Sequence, residues 1–174
     1  MKKDDSLTND ELQYLTFFMG KDQYALDIGI VKEIIAQNDI MTVPMLPEYI
    51  RGVINLRGHV VPVIDLAMRF GKERTSISKL TCIIIIELTK NERQIEIGIL
   101  VDAVSEVLSF TRESIERTPE FGDDVRSDFI SAIGRMDDKF IIMLNVSKVL
   151  NVNDITLLDK AKNEGSNLVI SSSK

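Results

Sequence analysis

One cysteine, one histidine, four prolines and no tryptophan occur in 174 residues, and each scarcity excludes something. A lone cysteine, Cys82, forbids an intramolecular disulfide, which suits the cytosol. Its place in Thr81-Cys82-Ile83-Ile84-Ile85-Ile86 predicts a small core hydrophobe rather than a reactive thiol. The single histidine, His59, follows a turn and reads as solvated, and no cysteine/histidine cluster has metal-ligand spacing. None of the nine glycines falls in a GxGxxG or phosphate-loop pattern, and GxSxG is absent. The adjacent acids Asp123-Asp124 and Asp137-Asp138 read as solvated turns. With three tyrosines, seven phenylalanines and a net charge of −6, the basic, aromatic-studded face of a nucleic-acid binder is not evident. No apolar run approaches the roughly 18 residues of a membrane helix. Met1-Lys2-Lys3-Asp4-Asp5-Ser6 leads into no apolar stretch, so no signal peptide is expected and the sequon Asn145-Val146-Ser147 carries no meaning.

What is present is a globular chain, 44% apolar and 28% charged, long enough to bury about two thirds of its unfolded surface. After a polar start the pattern is strand, turn, strand. Leu15–Met19 runs through Gly20-Lys21-Asp22-Gln23 into Tyr24–Ile28. Ile30–Ile35 fits either a strand or a helical turn. A loop over 39–47 carries Pro44 and Pro47. Leu80–Leu88 reads as a strand buried on both faces and turns back through 89–94 into Ile95–Val101. Thr111 is placed to cap a short helix, and Phe129–Leu144 forms a hairpin turning at Asp137-Asp138. Asp154 is placed to cap a helix over Ile155–Lys162, with Gly165 as its stop.

The second half repeats the first. A shift of 80 residues carries Tyr49-Ile50 onto Phe129-Ile130, Val53 onto Ile133, Val60-Val61 onto Phe140-Ile141 and Asp65 onto Asn145. A shift of 73 carries Leu26 onto Ile99, Val31 onto Val104, Glu33 onto Glu106 and Ile34 onto Val107. Units of short strands this small are best satisfied by closed barrels, since closure removes sheet edges. The expectation is an all-β fold of two packed barrels with short helices and a C-terminal helix. A flexible tail is expected over 1–12, the two-barrel domain over 13–160 and a second flexible tail over 161–174. The barrels are expected at roughly 13–79 and 80–150, with room for strand sharing.

The stretch "GVINLRGHVVPVIDL", residues 52–66, is the most informative. Arg57-Gly58 are the centre of a tight turn, Gly58 supplying positive φ. Pro62 cannot donate to a ladder and marks an edge or a bulge. Arg57 is either an idle turn residue or the partner of Glu33, whose apolar neighbours Val31, Ile34 and Ile35 make a lone carboxylate costly. No nucleophile–base pair is evident, and a duplicated scaffold without chemistry points to binding. A nucleic-acid-binding small barrel and an aspartate-based hydrolase are the competing classes.

"YIRGVINLRGHVVPVIDL" resembles the signature of the CheW family of chemotaxis adaptors, and "DIGIVKEII", "ILVDAVSEV", "IERTPEF" and "FISAIGRMDDKFIIMLNVSKVL" match in the same order over about 13–160. The resemblance implies two five-stranded SH3-like barrels, no catalysis and no cofactor. It implies a cytoplasmic adaptor, placed at receptor arrays beneath the inner membrane, that bridges chemoreceptor hairpin tips to the regulatory domain of the CheA kinase. It places the receptor-binding region at Val31, Glu33, Gly52 and Arg57, with Glu33 and Arg57 paired. Kinase contacts are implied at Ile40 and Met41, and at Glu116 and Phe121, where the family often has arginine in place of Glu116 and Arg117 stands next door. A receptor helix would be gripped by apolar anchors, for which Val31, Ile34 and Val101 are candidates.

Overall fold

Ile83, Ile84, Ile85 and Ile86 are all fully buried in one strand, and that requires protein on both of its sides. Alternation sends Ile83 and Ile85 into a cluster with Ile54, Val61, Val63 and Leu100. It sends Ile84 and Ile86 into a larger one with Phe17, Leu26 and Ile99. Burying each such side chain contributes about 1.5–3 kcal/mol. The computed structural model describes residues 11–36, 39–90, 92–116 and 129–172.

The first half supplies β1 (Glu11–Met19), β2 (Asp22–Asp27), β3 (Val31–Ala36), β4 (Ile50–Leu56), β5 (His59–Asp65) and α1 (Leu66–Arg69). The second supplies β6 (Cys82–Lys90), β7 (Arg93–Val101), β8 (Ala103–Thr111), β9 (Ile115–Glu116), β10 (Ile130–Met136), β11 (Lys139–Leu144), α2 (Val146–Val149) and α3 (Val152–Ser172). One sheet has the order β8-β1-β2-β11-β10-β9, the other β3-β6-β7-β5-β4.

These orders are the same order once the repeat is applied, and the register is the same too. Val63 faces Gly98 in the parallel pair β5/β7, and Met143 faces Ala25 in β11/β2, as the shifts of 80 and 73 require. A register break falls between Ile50 and Gly52 in β4 and between Ile130 and Ala132 in β10. Both hairpin tips carry two residues of positive φ, Arg57 and Gly58 in one and Asp137 and Asp138 in the other. Each sheet also closes on itself. Beyond β3, the Met41 N–H donates to the Val53 carbonyl (2.8 Å) and the Val53 N–H to the Met41 carbonyl (2.9 Å), joining that segment to the far edge strand β4. In the other sheet β9 continues β8 after a single 3-10 turn and pairs with β10 at Ile133 and Gly134. The result is two small barrels, as expected.

The expected division near residue 79 separates the two sequence repeats, and the strand sharing it left room for is extensive. Each repeat keeps its first hairpin, β1–β2 or β6–β7, in one barrel and sends its remaining strands to the other. β3 pairs with β6 and β8 with β1. The reason is that the free edge of β2 is taken by β11 and that of β7 by β5, so the third strand of each repeat crosses over. Between the barrels lies the shared core, which also receives Ile155, Leu158 and Ala161 of α3.

Several local expectations need correction. Ile30–Ile35 is both alternatives in turn, a 3-10 turn over Ile28–Ile30 followed by β3. Pro62 marks a local edge, as expected: it sits opposite Val53, whose N–H and carbonyl both turn away to Met41, and the β5/β7 ladder starts one residue later at Val63, where an N–H is again available. Thr111 makes no side-chain cap to the turn that follows it. α3 is capped by Asn151, not Asp154: the two exchange side-chain-to-backbone hydrogen bonds of 2.8 Å each, a reciprocal capping box. Gly165 does not stop α3, which runs to Ser172 and so occupies most of the expected C-terminal tail. Its role is close approach, since a Cβ there would meet Val53 at 2.6 Å. Glu11 and Leu12, expected in the N-terminal tail, begin β1.

The end of β5 is fixed by Asp65, fully buried, which accepts from Arg51 Nη1 (2.9 Å), the Thr75 N–H (2.9 Å) and the Thr75 hydroxyl (2.8 Å). Removing its carboxylate strands the guanidinium of Arg51. Asp65→Ala is expected to cost about 3–5 kcal/mol in urea unfolding, whereas Asn145→Ala at the duplicate position should cost far less. Gly52 has φ +143°, and a Cβ there would fall on the Met41 carbonyl. Gly52→Ala is expected to lose about 2 kcal/mol or more and to speed hydrogen exchange at the Met41 and Val53 amides.

Candidate functional site

Arg57 and Glu33 meet. The tight turn between β4 and β5 lifts Arg57 to positive φ and out into solvent, and its two guanidinium nitrogens engage both Glu33 oxygens, Nη1 to Oε2 at 3.2 Å. The hydrogen bonds from Arg57 outweigh desolvation and hold the Glu33 carboxyl below its usual range. Because β3 and β4 are opposite edges of the open strand order, this ion pair spans the seam at which the first barrel closes.

A row of charges crosses the same barrel beside it. Lys32 on β3 reaches Glu96 on β7 (2.9 Å) and Glu87 on β6 (3.7 Å), and His59 Nε2 lies 2.8 Å from Glu96. His59 is exposed, as its turn position predicts, and it also meets Glu96. Burial pushes the Glu96 carboxyl up, but the hydrogen bonds from Lys32 and His59 prevail and lower it.

The other expected receptor residues are placed differently. Val31, at the start of β3, is half-buried against the shared core. Gly52 is buried and does not touch the ion pair; it lies under Met41, so it can act only by supporting the 39–42 segment. Of the apolar anchors, Ile34 is 42% exposed, while Val101 is fully buried and is core. Val107, the counterpart of Ile34 on β8, is 47% exposed.

Ile40 and Met41 are half-buried, Ile40 against the interior of the first barrel and Met41 against the shared core. Ile40 also borders a surface hollow with Ile77, Arg51 and Arg74. Glu116 is exposed on β9 and paired with Arg135 Nη2 (2.8 Å), an ion pair that no sequence pattern indicated. Phe121 and Arg117 lie outside the described residues. Under the duplication Met41 and Glu116 are equivalent positions, since they sit opposite Val53 and Ile133.

Among the described residues no group of histidine, cysteine, aspartate or glutamate is arranged to hold a metal ion. Among them, too, no helix is long and apolar enough to cross a membrane.

Comparison with known proteins agrees with this architecture. The CheW-like domain family matches residues 13–154. The chemotaxis protein CheW of Klebsiella aerogenes is 33% identical over 147 residues, covering 84% of this chain and 86% of its own. The probable chemotaxis protein CheW of Rhizobium etli is 33% identical over 146 residues, 84% of this chain and 92% of its own. The crystal structure of the scaffolding protein TtCheW from Thermoanaerobacter tengcongensis superposes with a TM-score of 0.71 at 37% identity, covering 82% of this chain and 94% of that one. Two interlaced small barrels, the Glu33–Arg57 seam and a match over most of the length lead to one conclusion: this chain belongs to the CheW family.

Proposed function

We propose that the chain is a non-catalytic adaptor that couples the cytoplasmic hairpin tips of chemoreceptors to the regulatory domain of the CheA kinase, within receptor arrays beneath the inner membrane. The observation that carries the reading is the Glu33–Arg57 pair at the seam of the first barrel, in a chain of this family. An ion pair at a rim orients a partner and sets specificity, while apolar side chains beside it supply affinity. Receptor docking is assigned to Glu33 and Arg57 with Val31 and Ile34 as the apolar part, and Gly52 holds the neighbouring segment in place.

Kinase docking is assigned to two surfaces, Ile40–Met41 on the first barrel and Glu116 on the second, with Phe121 assigned to the latter by the family resemblance alone. Their support is the duplication: Met41 and Glu116 close their barrels in the same way, so one barrel-to-barrel mode of contact would be available twice. Two such contacts per adaptor are what an alternating ring of adaptor and kinase requires.

Arg57→Glu is expected to weaken binding to a receptor signalling fragment by about tenfold or more in a pull-down titration, with the thermal midpoint little changed, because the pair is exposed. The double variant Glu33→Arg/Arg57→Glu restores the pair but not the receptor's view of it and is expected to remain weak. Wild-type affinity in Arg57→Glu would remove this residue from the site. Ile40→Asp is expected to reduce binding to the CheA regulatory domain while leaving receptor binding intact, and equal loss of both would contradict separate surfaces.

The pair itself is checked by carboxyl titration in NMR. Glu33 is expected to titrate below the ordinary carboxylate value of about 4.3 and to return toward it in Arg57→Ala. A depressed value means that the pair's stabilisation is whole above the unfolded carboxylate value and fades as the pH falls through the folded one.

A further inference from the structure

The interior-facing rows of the first barrel end in charge. Val61 and Val63 on β5, Ile83 and Ile85 on β6, Leu100 on β7 and Ile35 on β3 line its inside. Strand alternation continues these rows to His59, Glu87, Glu96 and Glu33 at one mouth, the mouth at which Arg57 stands. Glu96 is the deepest of the four, its side chain 20% exposed. Its two oxygens are divided between the two sides of the seam. Oε2 accepts from Lys32 Nζ on β3 (2.9 Å), and Oε1 lies 2.8 Å from His59 Nε2 on β5. Lys32 immediately precedes Glu33, and His59 immediately follows the Arg57-Gly58 turn. One carboxylate on β7 therefore holds both the strand that carries Glu33 and the hairpin that carries Arg57.

Both members of the ion pair need such a hold. The Arg57 side chain is 67% exposed at the hairpin tip, and no described atom lies within 4 Å of where a Cβ on Gly58 would stand. Glu33 follows a register break in β3. Among the described residues the backbone tie across the seam is the Met41–Val53 bridge, further down β4. An exposed pair must fix two long side chains, so it contributes little unless the backbone beneath it is already in place. The second barrel is a control within the same chain. Its register sets Gln23 opposite Phe18 where the first sets Glu96 opposite Glu87. The shifts of 73 and 80 carry Lys32 to Ser105, His59 to Lys139 and Arg57 to Asp137, while Glu33 keeps a glutamate, Glu106. A barrel of this kind thus closes without the carboxylate hub, and the hub stands in the barrel whose tip carries arginine.

We infer that Glu96 is a positioning residue of the receptor-docking site: through Lys32 and His59 it sets the separation of β3 from the β4–β5 tip, and so presents Glu33 and Arg57 as one preformed pair. What the pair binds rests on the receptor reading above; the hold that Glu96 exerts is a property of the free chain.

Two readouts test it, one of them without the receptor. In the free chain, loss of the Glu96 charge moves Glu33 in opposite directions according to how Glu96 acts. Through space, the Glu96 charge disfavours the Glu33 carboxylate, so that Glu96→Gln would lower the Glu33 titration further. As a positioning residue Glu96 keeps Arg57 in place, so Glu96→Gln is expected to raise the Glu33 titration in NMR toward its value in Arg57→Ala. His59→Ala is expected to shift it the same way by less. A fall or no change in either variant overturns the inference, and His59→Ala, at an exposed position, reads it even where Glu96→Gln destabilises the fold.

Against a receptor signalling fragment, Glu96→Gln is expected to bind about fivefold more weakly with the thermal midpoint little changed. Lys32→Arg, which keeps a donor for Glu96, is expected to lose less than Lys32→Met. Adding His59→Ala to Glu96→Gln is expected to cost nothing more, because both act through one link. A further loss there, or equal losses in Lys32→Arg and Lys32→Met, means that these side chains touch the receptor themselves and overturns the positioning role. If the wild-type chain and Arg57→Glu bind the fragment alike, the receptor reading fails, and the Glu33 titration still decides whether Glu96 positions the pair.

Discussion

The crossing of β3 and β8 between the barrels is the constraint on which the rest depends. Neither barrel contains the strands of one repeat alone, and each first hairpin is completed by the other repeat. Because β6 then has a barrel interior on one side and the shared core on the other, its run of four isoleucines can be apolar throughout, as a strand buried on both faces must be. The single-residue link at Asp102 and the 3-10 turn over Ile28–Ile30 are the two points where the chain passes across. The Glu33–Arg57 seam and the Met41–Val53 bridge exist because β3, once across, must meet the far edge of its adopted barrel.

Against that apolar framework, the buried polar groups are few, and each is used several times over. Asp65 accepts from Arg51 and Thr75 and also caps α1 through the Met68 N–H. Asp154 completes the capping box of α3 while accepting from Tyr49 and from Arg69 (3.1 Å). Arg69 lies over the rings of both Tyr49 and Phe129, at 5.5 and 5.4 Å, two positions that the duplication makes equivalent. One cation therefore serves both halves, and α3 can be tied to only one of them.

Much of this was legible in the sequence, for a physical reason. Alternation and turn spacing are local, so the repeat shifts of 80 and 73, the tip at Arg57-Gly58 and the doubly buried strand could all be read from the order of residues. Glu33 declared itself because a carboxylate among Val31, Ile34 and Ile35 needs a partner. The crossing was not legible: a strand that pairs within its own repeat and one that pairs with the other show the same alternation. Gly165 looked like a helix stop because a glycine that ends a helix and one that admits a neighbour are the same letter. Val101 was misplaced for a similar cause, since only the fold says which apolar residue lies beneath the surface.

The interlacing also bears on what kind of object links two partners. A pair of beads on a string would let one end swivel while the other stays bound. Here a pull applied at the Arg57 rim passes through β3 and β6 into the common interior and out through β1 and β8, with no slack joint between them. The polypeptide thus behaves as a stiff strut, fixing the angle and spacing of whatever it joins.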